Sequence, residues 1–150
     1  MWSLQRPRFS PIVGMDVTLE VALAIVTVSI AVGSVWLVMA AVSTLGKQWS
    51  FAARLVQGHQ LITEGPYRIV RHPIYTGMFG MMLATGLAIS HWIALAPAVI
   101  FYLLGTRLRT RSEEKLLREA FGETFEEYAQ RVPALFPWFS RQQSGIARDR

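Results

Sequence analysis

From Val21 to Leu45 the chain runs 25 residues without a Lys, Arg, Asp or Glu, and from Ile74 to Thr106 it runs 33. Few folds accept such stretches. At about 1.5 Å rise per residue the first makes about 37 Å of helix, enough to cross a hydrocarbon core of about 30 Å with some tilt. The second would make about 50 Å, too long for one comfortable crossing. A break near Ser90-His91-Trp92 divides it into two arms of about 16 residues, with His91 and Trp92 suited to an interfacial turn. Pro97 kinks the second arm, which membrane helices tolerate. Three such segments in one chain of 150 residues disfavour a soluble buried helix pair. The expected fold class is all-α: a polytopic integral membrane protein of about three transmembrane helices. The last two form a hairpin, and a cytoplasmic C-terminal helix follows.

Composition agrees. Charged residues make up 17% of the chain, against about 25% for soluble domains. The net charge of +5 is read as topology and not as nucleic-acid binding. Lys47, Arg54, Arg68 and Arg71 lie between the two apolar runs, and Arg107, Arg109, Arg111, Lys115 and Arg118 follow the second. The N-terminal flank has only Arg6 and Arg8. By the positive-inside rule the central loop and the C-terminal segment are cytoplasmic, and the N-terminus is outside. The first run exceeds the usual ~7–15-residue core of a signal peptide, so an uncleaved anchor is expected. The absence of cysteine excludes disulfides, thiolate catalysis and Cys-based metal sites. His59, His72 and His91 match no metal-ligand spacing, and no metal is expected.

One domain, 1–150, is expected. Residues 1–16 form a flexible lead broken by Pro7, Pro11 and Gly14. The first helix covers 17–45, with Gly46 ending it. Residues 46–73 form a cytoplasmic loop with a short helix near 49–57, and 74–106 the hairpin, with arms at 74–89 and 92–106. Residues 107–137 form a helix and tail. That helix spans about 107–130, with a loose apolar stripe of Leu108, Leu116, Leu117, Phe121, Phe125 and Tyr128, interrupted at Gly122. Arg131-Val132-Pro133 stops it. The aromatic LFPWF at 135–139 suits an interface anchor, and the end of the chain, 138–150, is expected to be disordered.

The polar chemistry concentrates in GPYRIVRHPIY, residues 65–75. Pro66 and Pro73 make Gly65-Pro66-Tyr67 a turn and His72-Pro73 a helix entrance. A topological account has Arg71 held at lipid phosphates and Tyr75 in an aromatic belt. It leaves His72 and the rigid turn unexplained. In RTRSEEKLL, residues 109–117, Arg109 and Glu113 share a helix face. The plain account is an exposed i,i+4 pair, and Glu114–Arg118 is another. The alternative is a cation and an anion holding a zwitterionic ligand at the membrane edge.

Together HQLITEGPYRIVRHPIYTG (59–77) and RTRSEEKLLREAFGETFEEYAQRVPALFP (109–137), with LGKQWS (45–50) ahead of them, resemble the isoprenylcysteine carboxyl methyltransferase and phospholipid N-methyltransferase superfamily of membrane methyltransferases. The resemblance covers about residues 45–137. It implies S-adenosylmethionine as cofactor. It implies cofactor contacts at His59, Gln60, Leu61, Ile62, Tyr67, His72, Pro73, Ile74, Tyr75 and Glu113. It also implies that Arg109 is the substrate-side, catalytic arginine. The acceptor would be lipophilic, an isoprenylcysteine-type carboxylate or a lipid amine, reached at the cytoplasmic membrane face. Other members carry more membrane helices before the shared block. The expectation is therefore that part of the substrate tunnel is missing here or supplied by a second subunit, which makes a homo-oligomer one expected partner beside membrane lipid. The family's further upstream cofactor contact falls on Gln48 or Gln57. Two other readings stay open: a nicotinamide-dependent membrane reductase of related architecture, and a non-catalytic membrane scaffold.

Overall fold

A computed structural model describes residues 17–46, 61–89 and 92–137. Within them the chain is all-helical. α1 covers Val17–Leu45, a 3-10 turn Gly65–Arg68, α2 Pro73–Ile89, α3 Trp92–Phe121 and α4 Glu123–Arg131. The expected helix near 49–57, the lead 1–16 and the end 138–150 lie outside the described residues, as do Ser90 and His91.

Among the described residues one helix, α1, is long and apolar enough to cross a bilayer. It is apolar on every side, and its one thin buried strip, including Ser34 and Ala41, faces α2. The rest is exposed or half-buried, with Trp36 at 68% exposed for example. A helix apolar all round with that much bare surface has lipid as its natural solvent.

α2 runs antiparallel to α1 and very close to it. A Cβ on Gly77 would come within 2.9 Å of the Ser34 carbonyl oxygen, and one on Gly80 would collide with the Ser34 hydroxyl. Small residues at this spacing let two backbones approach, the main source of attraction between helices in lipid. α3 returns along α2. Gly86 packs against Leu95, the Phe79 and Tyr102 rings lie 5.6 Å apart, and the Tyr102 hydroxyl donates to the Tyr75 carbonyl at 2.7 Å. The hairpin arms thus end and begin where the charge-free run was divided.

The expected boundary at 106/107 is absent. α3 continues unbroken from Trp92 through the charged segment to Phe121. Its inward face carries Tyr102, Thr106, Thr110 and then Glu113 and Glu114, at helical spacing, with Thr106 and Thr110 buried. Charges beyond Thr106 do not interrupt a helix whose inward face is still packed. The break falls at Gly122, whose φ of +51° disfavours a side chain and turns the chain into α4. The expected apolar stripe is also narrower. Phe125 and Tyr128 are buried, while Leu108 is 67% exposed, on the outer side of α3.

Candidate active site

The site is built where the Gly-Pro turn, the start of α2, the charged half of α3 and the segment after α4 meet. Gly65 opens the turn with φ +55°, a conformation that favours glycine, and an added Cβ would press on Thr44 at the end of α1. Pro66 then sets the first turn, closed by Tyr67 N–H to the Glu64 carbonyl at 3.1 Å. This buries Tyr67, which is only 8% exposed. Burial, then the neighbouring Tyr128, Glu113 and Tyr75, push its phenol well above the ordinary tyrosine value. It therefore stays protonated, and its hydroxyl has no hydrogen-bond partner among the described residues.

Pro73 starts α2 and is fully buried. The two residues before it are tied down from behind. Arg71 N–H donates to the Pro133 carbonyl at 2.8 Å and His72 N–H to Ala134 at 3.0 Å. Thr76 donates its hydroxyl to the Leu135 carbonyl at 2.7 Å. Phe136 closes the contact with its ring 5.5 Å from Phe79. The segment 132–136 is thus a strap across the mouth of α2. α4 anchors it with Phe125, whose full burial stabilises by roughly 1.5–3 kcal/mol, and with the Tyr128 hydroxyl, which donates to the Tyr67 carbonyl at 2.7 Å. Arg118 fastens the α3–α4 corner, 2.6 Å from Glu126 and over the Phe125 ring.

Two carboxylates face the mouth of α2. On one side the Tyr75 hydroxyl donates to Glu113 Oε1 at 2.7 Å, and Arg109 Nε donates to the same oxygen at 2.8 Å and to the Tyr75 hydroxyl at 3.2 Å. Glu113 Oε2 accepts no hydrogen bond among the described residues. It lies 3.7 Å from His72 Nδ1. On the other side Glu114 Oε1 meets Arg71 at 2.8 Å and His72 Nε2 at 3.1 Å. Arg71 also donates to the carbonyls of Val132, at 3.0 Å, and Ala129. Burial pushes the Glu114 carboxyl up. The hydrogen bond from His72, with the charge and hydrogen bond of Arg71, outweighs it and holds the group below the ordinary carboxylate range.

Of the residues singled out from the sequence, Tyr67, His72, Pro73, Tyr75, Arg109 and Glu113 converge here, with Ile74 half-buried beside them. Leu61 and Ile62 are half-buried in the stretch leading to the turn, and no hydrogen bond among the described residues ties them to the cluster. His59 and Gln60, like Gln48 and Gln57, lie outside the described residues. Sequence reasoning missed Arg71 and Glu114. It held Arg71 at the lipid surface, whereas the side chain turns inward. It read Glu114 as an exposed partner of Arg118, whereas that contact is the longer one, 3.5 Å. The available signal was the doubled glutamate, since adjacent helical residues point about 100° apart and so reach different surroundings. Among the described residues no group of His, Asp or Glu is arranged to hold a metal ion.

Known proteins resemble this chain over part of its length. The family model for phospholipid methyltransferases matches residues 22–124. Protein-S-isoprenylcysteine O-methyltransferase B of Arabidopsis thaliana is 35% identical over 101 residues, 65% of this chain and 51% of that protein. Cobalt-zinc-cadmium resistance protein CzcN of Cupriavidus metallidurans is 37% identical over 106 residues, 65% of this chain and 45% of that protein. Methanethiol S-methyltransferase of Pseudomonas deceptionensis is 38% identical over 76 residues, 50% of this chain and 28% of that protein. The chain spans about half the length of the first two relatives and less than a third of the last.

Proposed function

The chain belongs to the phospholipid methyltransferase family, and from that premise we propose that it is an integral membrane methyltransferase. It uses S-adenosylmethionine and acts on a lipophilic acceptor at the cytoplasmic membrane face. One observation carries the reading. A set of mutually oriented polar groups, Tyr75, Glu113, Arg109 and His72, sits where apolar helices end, and the buried Tyr67 hydroxyl and Glu113 Oε2 have no hydrogen-bond partner among the described residues. These fit a water-soluble zwitterion with hydroxyl and amine groups. Tyr67 has a donor to offer, and Glu113 Oε2 accepts.

When bound, S-adenosylmethionine supplies a methyl group on a sulfonium, open to in-line displacement by a nucleophile. The chain's own contribution is positioning, the main requirement of such a step. Tyr67, His72, Tyr75 and Glu113 would hold the cofactor, with Leu61, Ile62, Pro73 and Ile74 as apolar walls; the family resemblance adds His59 and Gln60 as further contacts. Tyr75 and Arg109 orient the Glu113 carboxylate from one side and leave its other oxygen for the ligand. Arg109, one turn nearer the apolar half of α3, faces the acceptor. A guanidinium there favours an anionic acceptor, a carboxylate or thiolate, over an amine. Two relatives' names point to such acceptors, isoprenylcysteine and methanethiol. Family membership favours this reading over the nicotinamide-dependent reductase and the scaffold.

The proposal includes three spans in a single domain, α1, α2 and the apolar half of α3. At 17 residues α2 is about 25 Å long, short of the hydrocarbon thickness. Bilayer thinning and snorkelling accommodate such an arm. Reporter fusions at Gln57 and Arg150 should both read cytoplasmic, and opposite sides would refute three spans. Activity is tested by following a labelled methyl group from S-adenosylmethionine into the organic phase. Membranes containing the chain receive an S-farnesylated cysteine derivative or their own lipids as acceptor. Label above that of membranes lacking the chain is expected. Equal label in both refutes the reading for these acceptors.

A further inference from the structure

Arg71 and Glu114 have no task in the proposed reaction, yet their geometry around His72 is specific. Glu114 Oε1 is 2.8 Å from Arg71 Nη2 and 3.1 Å from His72 Nε2. An ionised carboxylate only accepts, so Nε2 must carry the hydrogen. In the neutral ring Nδ1 is then left as an acceptor. It points to the Glu113 side, 3.7 Å from Oε2, too far for a direct hydrogen bond. Arg71 in turn holds Glu114 against carbonyls of α4 and the strap. With Arg71 and Glu114 only 13% and 12% exposed, water competes weakly for these contacts.

We infer that Arg71 and Glu114 are positioning residues: Arg71 clasps Glu114 to the strap, and Glu114 fixes His72 in the Nε2–H tautomer, presenting Nδ1 as an acceptor beside Glu113. A donor group of a bound ligand can then be shared between Nδ1 and Glu113 Oε2. A ring free to flip or exchange tautomers would present a competing N–H there. The effect on cofactor binding rests on the proposed function. The tautomer does not.

The test uses the full chain in detergent with ¹⁵N-labelled histidine, and His72 is assigned by difference from His72→Gln. At a pH of about 8.5, where an ordinary histidine is neutral, the wild-type His72 signals should show Nε2 protonated and Nδ1 bare. Glu114→Gln can turn its NH2 group toward the ring, so it should give mixed tautomers. It should also weaken S-adenosylhomocysteine binding about tenfold, as loss of a charge-assisted hydrogen bond does. Should Glu114→Gln not fold, Arg71→Lys, which keeps the charge and loses the fork, decides. Mixed tautomers and a severalfold weaker affinity are expected of it. An Nδ1–H or doubly protonated ring in the wild type overturns the inference. So does a folded variant with unchanged tautomer and affinity, which would make the cluster a structural clasp alone. Absence of S-adenosylhomocysteine binding by a wild type with the expected tautomer would instead refute the proposed function.

Discussion

Glu113 and Glu114 are neighbours on α3, and they sit in different environments. Glu113 is 24% exposed and its partner Arg109 40%, at the open side of the α2 mouth. Glu114 and Arg71 are 12% and 13% exposed, on the side closed by the strap. The open side has short contacts and, among the described residues, an acceptor without a hydrogen bond, Glu113 Oε2. The closed side has nearly every group engaged by protein. One residue of helical rotation separates a carboxylate with one oxygen free of hydrogen bonds among the described residues from one engaged by Arg71 and His72.

The largest expected effect lies on the closed side. Arg71→Ala leaves Glu114 without its principal cation and two carbonyls without donors, and should destabilise by about 3–5 kcal/mol. Denaturant titration in detergent measures this. A loss below about 1 kcal/mol, the level of an exposed pair, would place Arg71 back at the lipid surface and dissolve the comparison. The next effect is on the open side and on binding. Glu113→Gln should weaken S-adenosylhomocysteine by about 1.5–3 kcal/mol, with a smaller effect on unfolding. Stability lost without affinity would mean that both glutamates are structural.

Arg109→Lys sharpens the open side further. It should leave cofactor affinity nearly unchanged and lower methyl transfer, because lysine lacks the planar fork. Equal small effects on both would make Arg109–Glu113 a solvated pair. The smallest effect is on acid stability. The folded-state carboxyl of Glu114 lies below its unfolded value, so its contribution is present above the ordinary Glu range, about pH 4–4.5, and is lost as pH falls through the folded value. The stability gap between wild type and Glu114→Gln should therefore close on acidification. A gap that widens would contradict the ion-pair account.

Much of this was legible in the sequence because it is local. Absence of charge marked α1 and the two hairpin arms, the prolines marked the turn and the α2 entrance, and helical spacing paired Arg109 with Glu113. The rest depends on contacts between distant segments. Arg71 finds Glu114 across 43 residues, and the strap reads in sequence as a proline stop followed by an aromatic anchor. The continuity of α3 past Thr106 was hidden because the first charges after an apolar run read as its end, and a change of polarity need not end a helix.

The central claim is that the α2 mouth binds S-adenosylmethionine. Calorimetry on the purified full chain in detergent, with S-adenosylhomocysteine and NADPH as separate titrants, tests it most directly. Saturable binding of S-adenosylhomocysteine, weakened by His72→Ala in a still-folded protein, and no binding of NADPH is the predicted result. Binding of NADPH alone, or S-adenosylhomocysteine affinity indifferent to His72→Ala, would contradict the account.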